Sequence, residues 1–200
     1  MIEIDNKNLK IALGVGDFKK MVTENDIFVD KSLFIKEVID ASEEAILITY
    51  PRRWGKSLNI NMLQTFFEPE DKNCEATLRC NKIIFDGGLY KLPSGEEKNI
   101  SSLAISQVDS GKYMQYQGKY PVISISLKDV EGDSITQIES QLKDLAKSLY
   151  REHRHLYTSD LLEKDEKEDF RKYIAQDYGG ISLKNSRVLA KDRYKIALLT

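Results

Sequence analysis

Seven residues, Pro51-Arg52-Arg53-Trp54-Gly55-Lys56-Ser57, constrain this chain most, because of what stands on either side of them. Before them runs Ala45-Ile46-Leu47-Ile48-Thr49-Tyr50, apolar on both faces, which predicts a strand central in a parallel sheet. After them, Leu58, Met62, Leu63, Phe66 and Phe67 recur at the spacing of one helix face, predicting a helix over 56–67. A strand, a tight turn ending in Gly-Lys-Ser and a helix together suit a nucleoside triphosphate. Amides at the helix start point at the phosphates, the lysine ammonium reaches the outer oxygens, and the serine hydroxyl holds magnesium.

The pattern departs from a full phosphate loop at one place. The first glycine, five residues before Gly55, is replaced by Tyr50. Glycine there permits a sharp turn; here Pro51 fixes its own φ and pushes Tyr50 towards an extended conformation. Arg52 and Arg53 add two positive charges where a phosphate chain would lie. The expected nucleotide contacts are Arg52, Arg53, Trp54, Gly55, Lys56, Ser57 and Leu58, with a nucleoside triphosphate and magnesium as ligands and Ser57 meeting the metal through the nucleotide. Trp54 either shields the loop or packs into the core, and the arginine pair either faces the ligand or is simply solvated.

The bulk of the chain sets the remaining bounds. At 200 residues and 41% hydrophobic, it has material for one domain, with or without an appendage. The net charge of −2 argues against a generally cationic nucleic-acid binder, leaving only a local patch for that role. No apolar run is long enough to span a membrane, and the acidic start Met1-Ile2-Glu3-Ile4-Asp5 lacks the layout of a signal peptide. Cys74 and Cys80, with no Cys or His partners nearby, read as ordinary thiols, so a cytoplasmic setting is expected.

Along the chain, Gly14-Val15-Gly16 reads as a turn before Phe18, and Ile27-Phe28-Val29 as a short extended run. Ser32 suits the N-cap of a helix whose apolar face is Phe34, Ile35, Val38 and Ile39. Ile83-Ile84-Phe85 and Leu89-Tyr90, joined by Asp86-Gly87-Gly88, suggest a hairpin. Pro93-Ser94-Gly95 makes a further turn, and 101–108 reads as extended. Val122–Leu127 reads as a strand. Ile135, Ile138, Leu142, Leu145 and Leu149 mark an amphipathic helix over 134–152, capped by Asp133 or Ser134. His153 and His155 lack a third ligand and read as surface residues. A charged helix follows over 159–176, stopped at Gly179-Gly180, then a short helical piece near 183–191 and a buried strand over 194–199.

The order of these signals resembles the AAA-ATPase-like family of bacterial and archaeal P-loop proteins. Its elements correspond here to Gly14-Val15-Gly16-Asp17-Phe18, to Val29-Asp30-Lys31-Ser32, and to Pro51-Arg52-Arg53-Trp54-Gly55-Lys56-Ser57 with Trp54 for the usual Phe. Gly118-Lys119-Tyr120-Pro121-Val122-Ile123 and Ser126-Leu127-Lys128-Asp129-Val130 add to the likeness. The resemblance implies an α/β, P-loop NTPase-type three-layer fold with a parallel central sheet, here incomplete, with a core of 27–73 and 119–200 and a β-rich insert at 74–118. It also implies ATP binding through a degenerate Walker A loop. Members continue past a strand ending in an Asp-Glu pair and often carry a C-terminal PD-(D/E)XK nuclease-like domain. No acid follows Tyr194–Thr200, so the chain looks like the N-terminal portion of such a protein and is expected to hydrolyse ATP slowly or not at all. Asp30 and Lys31 either contact nucleotide or serve structure. The alternative is a non-catalytic regulatory or interaction module that keeps the P-loop fold. Nucleic acid is a partner only for a longer protein; a protein partner is not legible.

Overall fold

Aromatic residues at helical spacing draw the first part of the chain together. The computed structural model describes residues 14–25, 27–43, 45–49, 51, 53–70, 78–154, 157, 163–175 and 196–199. The chain divides into two units, Met1–Tyr120 and Pro121–Thr200.

In the first unit, α1 (Phe18–Glu24) starts where a carboxylate oxygen of Asp17 accepts the Lys20 amide at 3.0 Å, satisfying a donor that the helix leaves open. α2 (Leu33–Asp40) buries Ile35 fully, while Phe34, Val38 and Ile39 are only half-buried. α3 (Lys56–Phe67) runs over the residues that the periodicity predicts and buries Met62, Leu63, Phe66 and Phe67. α4 (Asn81–Asp86) adds Ile84 and Phe85. The rings meet at the centre: Phe66 lies edge-on to Phe85 at 5.1 Å, and Phe18 stacks on Phe85 at 5.6 Å. Each such side chain contributes about 1.5–3 kcal/mol by leaving water, and each ring pair about 0.5–1.5 kcal/mol more. A carboxamide oxygen of Asn61 accepts the Phe18 amide at 2.7 Å, joining α1 to α3. At the other end of α3 the carbonyls of Phe66 and Phe67 accept the amides of Gly118 and Tyr120 at 2.8 and 2.9 Å.

Gly87 ends α4 with φ +80°, and a Cβ there would lie 2.7 Å from the Ser102 nitrogen, so no other residue fits. It leads into the antiparallel pair β1 (Gly88–Lys91) and β2 (Glu97–Ile100), with Gly88 opposite Ile100 and Lys91 opposite Glu97. Helix α5 (Ala104–Gln107) follows, then a 3-10 segment, Val108–Tyr116, broken by a left-handed turn at Asp109, Ser110 and Gly111. That turn brings Asp109 to Lys36 on α2. The Lys36 ammonium donates to the Tyr113 hydroxyl at 2.7 Å, to Asp40 at 3.0 Å and to Asp109 at 3.3 Å, and Tyr113 donates to Asp40 at 2.7 Å. The Tyr113 hydroxyl, with Asp40, holds Lys36 above the usual lysine range; the same hydroxyl, with Lys36, holds Asp40 below the usual carboxylate range.

In the second unit, β3 (Val122–Ile125) pairs in parallel with β4 (Ile196–Leu199), Val122 opposite Ile196. α6 (Ile135–Glu152) starts at Ser134, whose hydroxyl accepts the Gln137 amide at 3.3 Å. α7 (Lys164–Ala175) supplies Phe170 and Tyr173. Tyr150 stacks on Tyr173 at 4.3 Å and meets Phe170 edge-on at 4.9 Å, with Ile123 in the same cluster.

The chain therefore does not build the expected three-layer α/β fold with a parallel central sheet. It is mostly helical, and among the described residues the strands form only two separate two-stranded pairs. Of the expected central strand, Ala45–Tyr50, residues 45–49 have no strand partner among the described residues, and Leu47 is 87% exposed. β-propensity reflects packing against neighbours, which must come from distant chain, so an apolar run by itself does not fix a strand. The extended run expected at Ile83-Ile84-Phe85 is helical, because Ile84 and Phe85 are buried on one side and a Glu70 carboxylate oxygen accepts the Asn81 amide at 2.6 Å where the helix begins. The hairpin forms one turn later, about Pro93–Gly95. Extended structure expected at 101–108 gives way to α5. The apolar face expected of α6 is covered only in part: Tyr150 is buried, whereas Ile135 is 84% exposed. Cys80 is disulfide-bonded and not the ordinary thiol expected; Cys74, like His155, 159–162, 179–180 and 183–191, lies outside the described residues.

Candidate nucleotide-binding loop

The start of α3 is shaped by Gly55. Its φ of +79° and ψ of 24° are left-handed, and its carbonyl accepts the Asn59 amide at 2.8 Å to begin the helix. A Cβ at Gly55 would meet only the Leu58 Cβ, at 4.0 Å, so backbone conformation rather than crowding selects glycine here. Arg53 shares the left-handed region, at φ 68°, a conformation that costs a side-chain-bearing residue about 1–2 kcal/mol. Two consequences follow for the helix start. Gly55 offers no side chain to cap it, and its first turn carries no acid to offset the positive end of the helix dipole.

The side chains of the expected site are placed as follows. Arg53 and Trp54 are exposed, Trp54 at 59%, so the indole does not pack into the core. Lys56 is half-buried, and its ammonium donates to the Pro51 carbonyl at 3.1 Å, back across the loop. Ser57 is exposed and Leu58 half-buried. Arg52 lies outside the described residues. The helix side of the expected strand–loop–helix unit is present; the strand side is not, since 45–49 takes no regular structure.

A second element reaches the loop. Asp30 accepts the Ser32 amide at 2.8 Å with one carboxylate oxygen and the Ala104 amide at 2.8 Å with the other. Ser32 is fully buried, and its hydroxyl accepts the Ile105 amide at 3.1 Å instead of capping α2. Between these two anchored residues, the Lys31 ammonium donates to the Trp54 carbonyl at 3.2 Å. Of the two roles open to Asp30 in the sequence, the structural one is what its hydrogen bonds show. The sequence hints at this pairing only through the Asp-x-Ser spacing, in which a carboxylate can accept the amide two residues on.

Among the described residues no cluster of three or more His, Cys, Asp or Glu is arranged to hold a metal ion, and no helix is long and apolar enough to cross a membrane.

The loop therefore brings Arg53, Trp54, Lys56 and Ser57 to the start of α3, around the left-handed turn at Gly55. In comparison with known families, the model of the AAA-ATPase-like family, described as predicted AAA-ATPase, matches residues 12–84. The match spans α1 to the middle of α4, including Val29–Ser32 and Pro51–Ser57. No curated protein and no solved structure matches the chain.

Proposed function

We propose that this chain binds a nucleoside triphosphate, ATP with magnesium, on the Arg52–Leu58 stretch. The observation carrying the reading is the left-handed turn at Gly55, which delivers Lys56 and Ser57 as the first two residues of α3 within the family-matched stretch. In this reading the amides of Lys56, Ser57 and Leu58 donate to phosphate oxygens. The Lys56 ammonium leaves the Pro51 carbonyl for the β and γ phosphates, a stronger, charge-assisted partner. Ser57, exposed on the first turn, offers its hydroxyl to magnesium, and Arg52 and Arg53 offset the phosphate charge. In the same reading Trp54, exposed in the loop, covers the ligand.

The test is calorimetry with Mg·ATP on wild type and Lys56→Ala. Wild type is expected to bind, and loss of the ammonium to weaken binding by about 2–3 kcal/mol, the worth of a hydrogen bond to a charged group. Equal affinity in the two proteins would remove the site assignment. The reading implies a cytoplasmic setting, where nucleotide and magnesium are supplied.

A second reading, an interaction module that binds nucleotide without turning it over, is favoured by an apolar groove beside α2. Phe34, Val38, Ala41, Ala45, Ile46 and Leu47 line it, with Glu37 and Glu43. Phosphate release from Mg·ATP by wild type, compared with Lys56→Ala, separates an enzyme from such a module.

A further inference from the structure

We propose that Lys31 is a positioning residue for the phosphate loop. It braces the Trp54 carbonyl so that the loop keeps its shape while Lys56 moves from the Pro51 carbonyl to a phosphate oxygen. This rests on the nucleotide-binding reading above and adds a residue to it.

The argument begins with the backbone on either side of Lys31. Asp30 and Ser32 are tied by three hydrogen bonds, two of them to the amides of Ala104 and Ile105, more than seventy residues away. The Lys31 backbone is therefore fixed, and only its four-carbon stem is free to move. That stem carries the ammonium to the carbonyl next to Gly55, at 3.2 Å. An exposed lysine alone on a carbonyl would be a minor contact. Here its base is held, and its acceptor belongs to the peptide that enters the left-handed Gly55.

The two ends of the loop are held in the same way. Lys31 binds the Trp54 carbonyl and Lys56 binds the Pro51 carbonyl at 3.1 Å, so an ammonium closes each end of 51–54. An ammonium has three donors, and a neutral carbonyl is a weaker acceptor than an anionic oxygen. When a triphosphate arrives, the Lys56 contact is the one to exchange, because that lysine opens the helix. Releasing Pro51 would loosen the loop at the moment its amides must face the phosphates. The Lys31 contact is independent of that exchange and retains the turn. Preorganisation of this kind strengthens binding by reducing the ordering that the ligand must impose.

Trp54 is the chain's single tryptophan and is 59% exposed, so its emission reports on the loop directly. The experiment compares wild type, Lys31→Ala and Lys31→Arg in the full chain. Without nucleotide, acrylamide quenching of Trp54 is expected to rise in Lys31→Ala and to stay near wild type in Lys31→Arg, which keeps a donor on the carbonyl. With Mg·ATP, calorimetry is expected to show affinity about tenfold weaker in Lys31→Ala, the loss of one hydrogen bond from a charged group, and restored by Lys31→Arg. The melting temperatures of the nucleotide-free proteins are expected to agree, which separates positioning from a general loss of fold. Unchanged quenching in Lys31→Ala overturns the brace, and unchanged Mg·ATP affinity overturns its role in binding. If wild type does not bind Mg·ATP, the nucleotide reading fails and the phosphate half of this inference with it. The ligand-free quenching then decides the brace by itself.

Discussion

The Pro51–Gly55 loop joins two unequal neighbours. On its C-terminal side, α3 buries four large apolar residues, meets α4 where Phe66 lies edge-on to Phe85, and holds α1 through the Asn61 carboxamide. On its N-terminal side, 45–49 is at least as apolar, yet it has no strand partner among the described residues and is largely exposed. Apolar content does not separate the two. The difference is that a helix satisfies its backbone within itself, so one packed face is enough, whereas a strand needs partners brought from elsewhere in the chain. Order around the loop therefore comes from α3 and from the Asp30–Ser32 element, not from the residues that lead into it.

The contrast breaks most visibly at Phe66. Phe66→Ala is expected to destabilise the first unit by about 3–5 kcal/mol, the usual cost of emptying a buried aromatic site, read as a lower denaturation midpoint in urea. A change under 1 kcal/mol would mean that α3 is not the centre of this core.

Asp30→Ala sharpens the comparison from the other direction. It leaves the amides of Ser32 and Ala104 without their acceptor, at an expected cost of about 1–3 kcal/mol. Chemical denaturation of wild type and variant reads it, and a neutral substitution would show that α3 alone orders this side of the loop.

Acid probes a third tie, between α2 and the 108–116 segment. Because Asp40 titrates lower in the folded protein than in the unfolded chain, its contribution is present above the ordinary Asp value of 3.8 and is lost as pH falls through the depressed folded value. Thermal melts of wild type are expected to drop on acidification below about pH 4, and Tyr113→Phe, which removes the larger cause of the depression, should make that drop shallower. Identical acid profiles would show that the hydroxyl does not hold Asp40.

The smallest effect is expected at Leu47. Leu47→Ser, at an exposed position, should shift stability by no more than about 0.5 kcal/mol. A loss of several times that size in solution would mean that 45–49 is covered, and would erase the contrast between the two sides.

What could be read from the sequence follows the same division. α3, the Ser134 cap of α6 and the charged helix α7 are legible because helical periodicity and capping are local. The helix at Asn81–Asp86 was hidden, since Ile83-Ile84-Phe85 is β-rich by composition and is overruled by burial against Phe18 and Phe66. The exposed stripe at Ile135, Ile138 and Leu142 teaches the complementary point: periodicity announces a helix but not what covers its face. At the site, Gly55, Lys56 and Ser57 were legible as a motif. Lys31 stood in the sequence as one half of an undecided pair with Asp30, because its partner is a backbone carbonyl twenty-three residues on, and carbonyls leave no mark in composition.

One consequence of the amides on the last turn of α3 concerns how the molecule can be cut. The family-matched stretch stops at residue 84, yet the carbonyls of Phe66 and Phe67 are closed by Gly118 and Tyr120, and Asp30 holds Ala104. An excised 12–84 peptide would carry the whole Gly-Lys-Ser motif and still lack the groups that finish its helix and fix its lysine brace. During synthesis the same dependence means that the loop is not set when the motif emerges from the ribosome. It is set only after residue 120 has followed, so the smallest fragment worth testing for nucleotide runs to the end of that first unit.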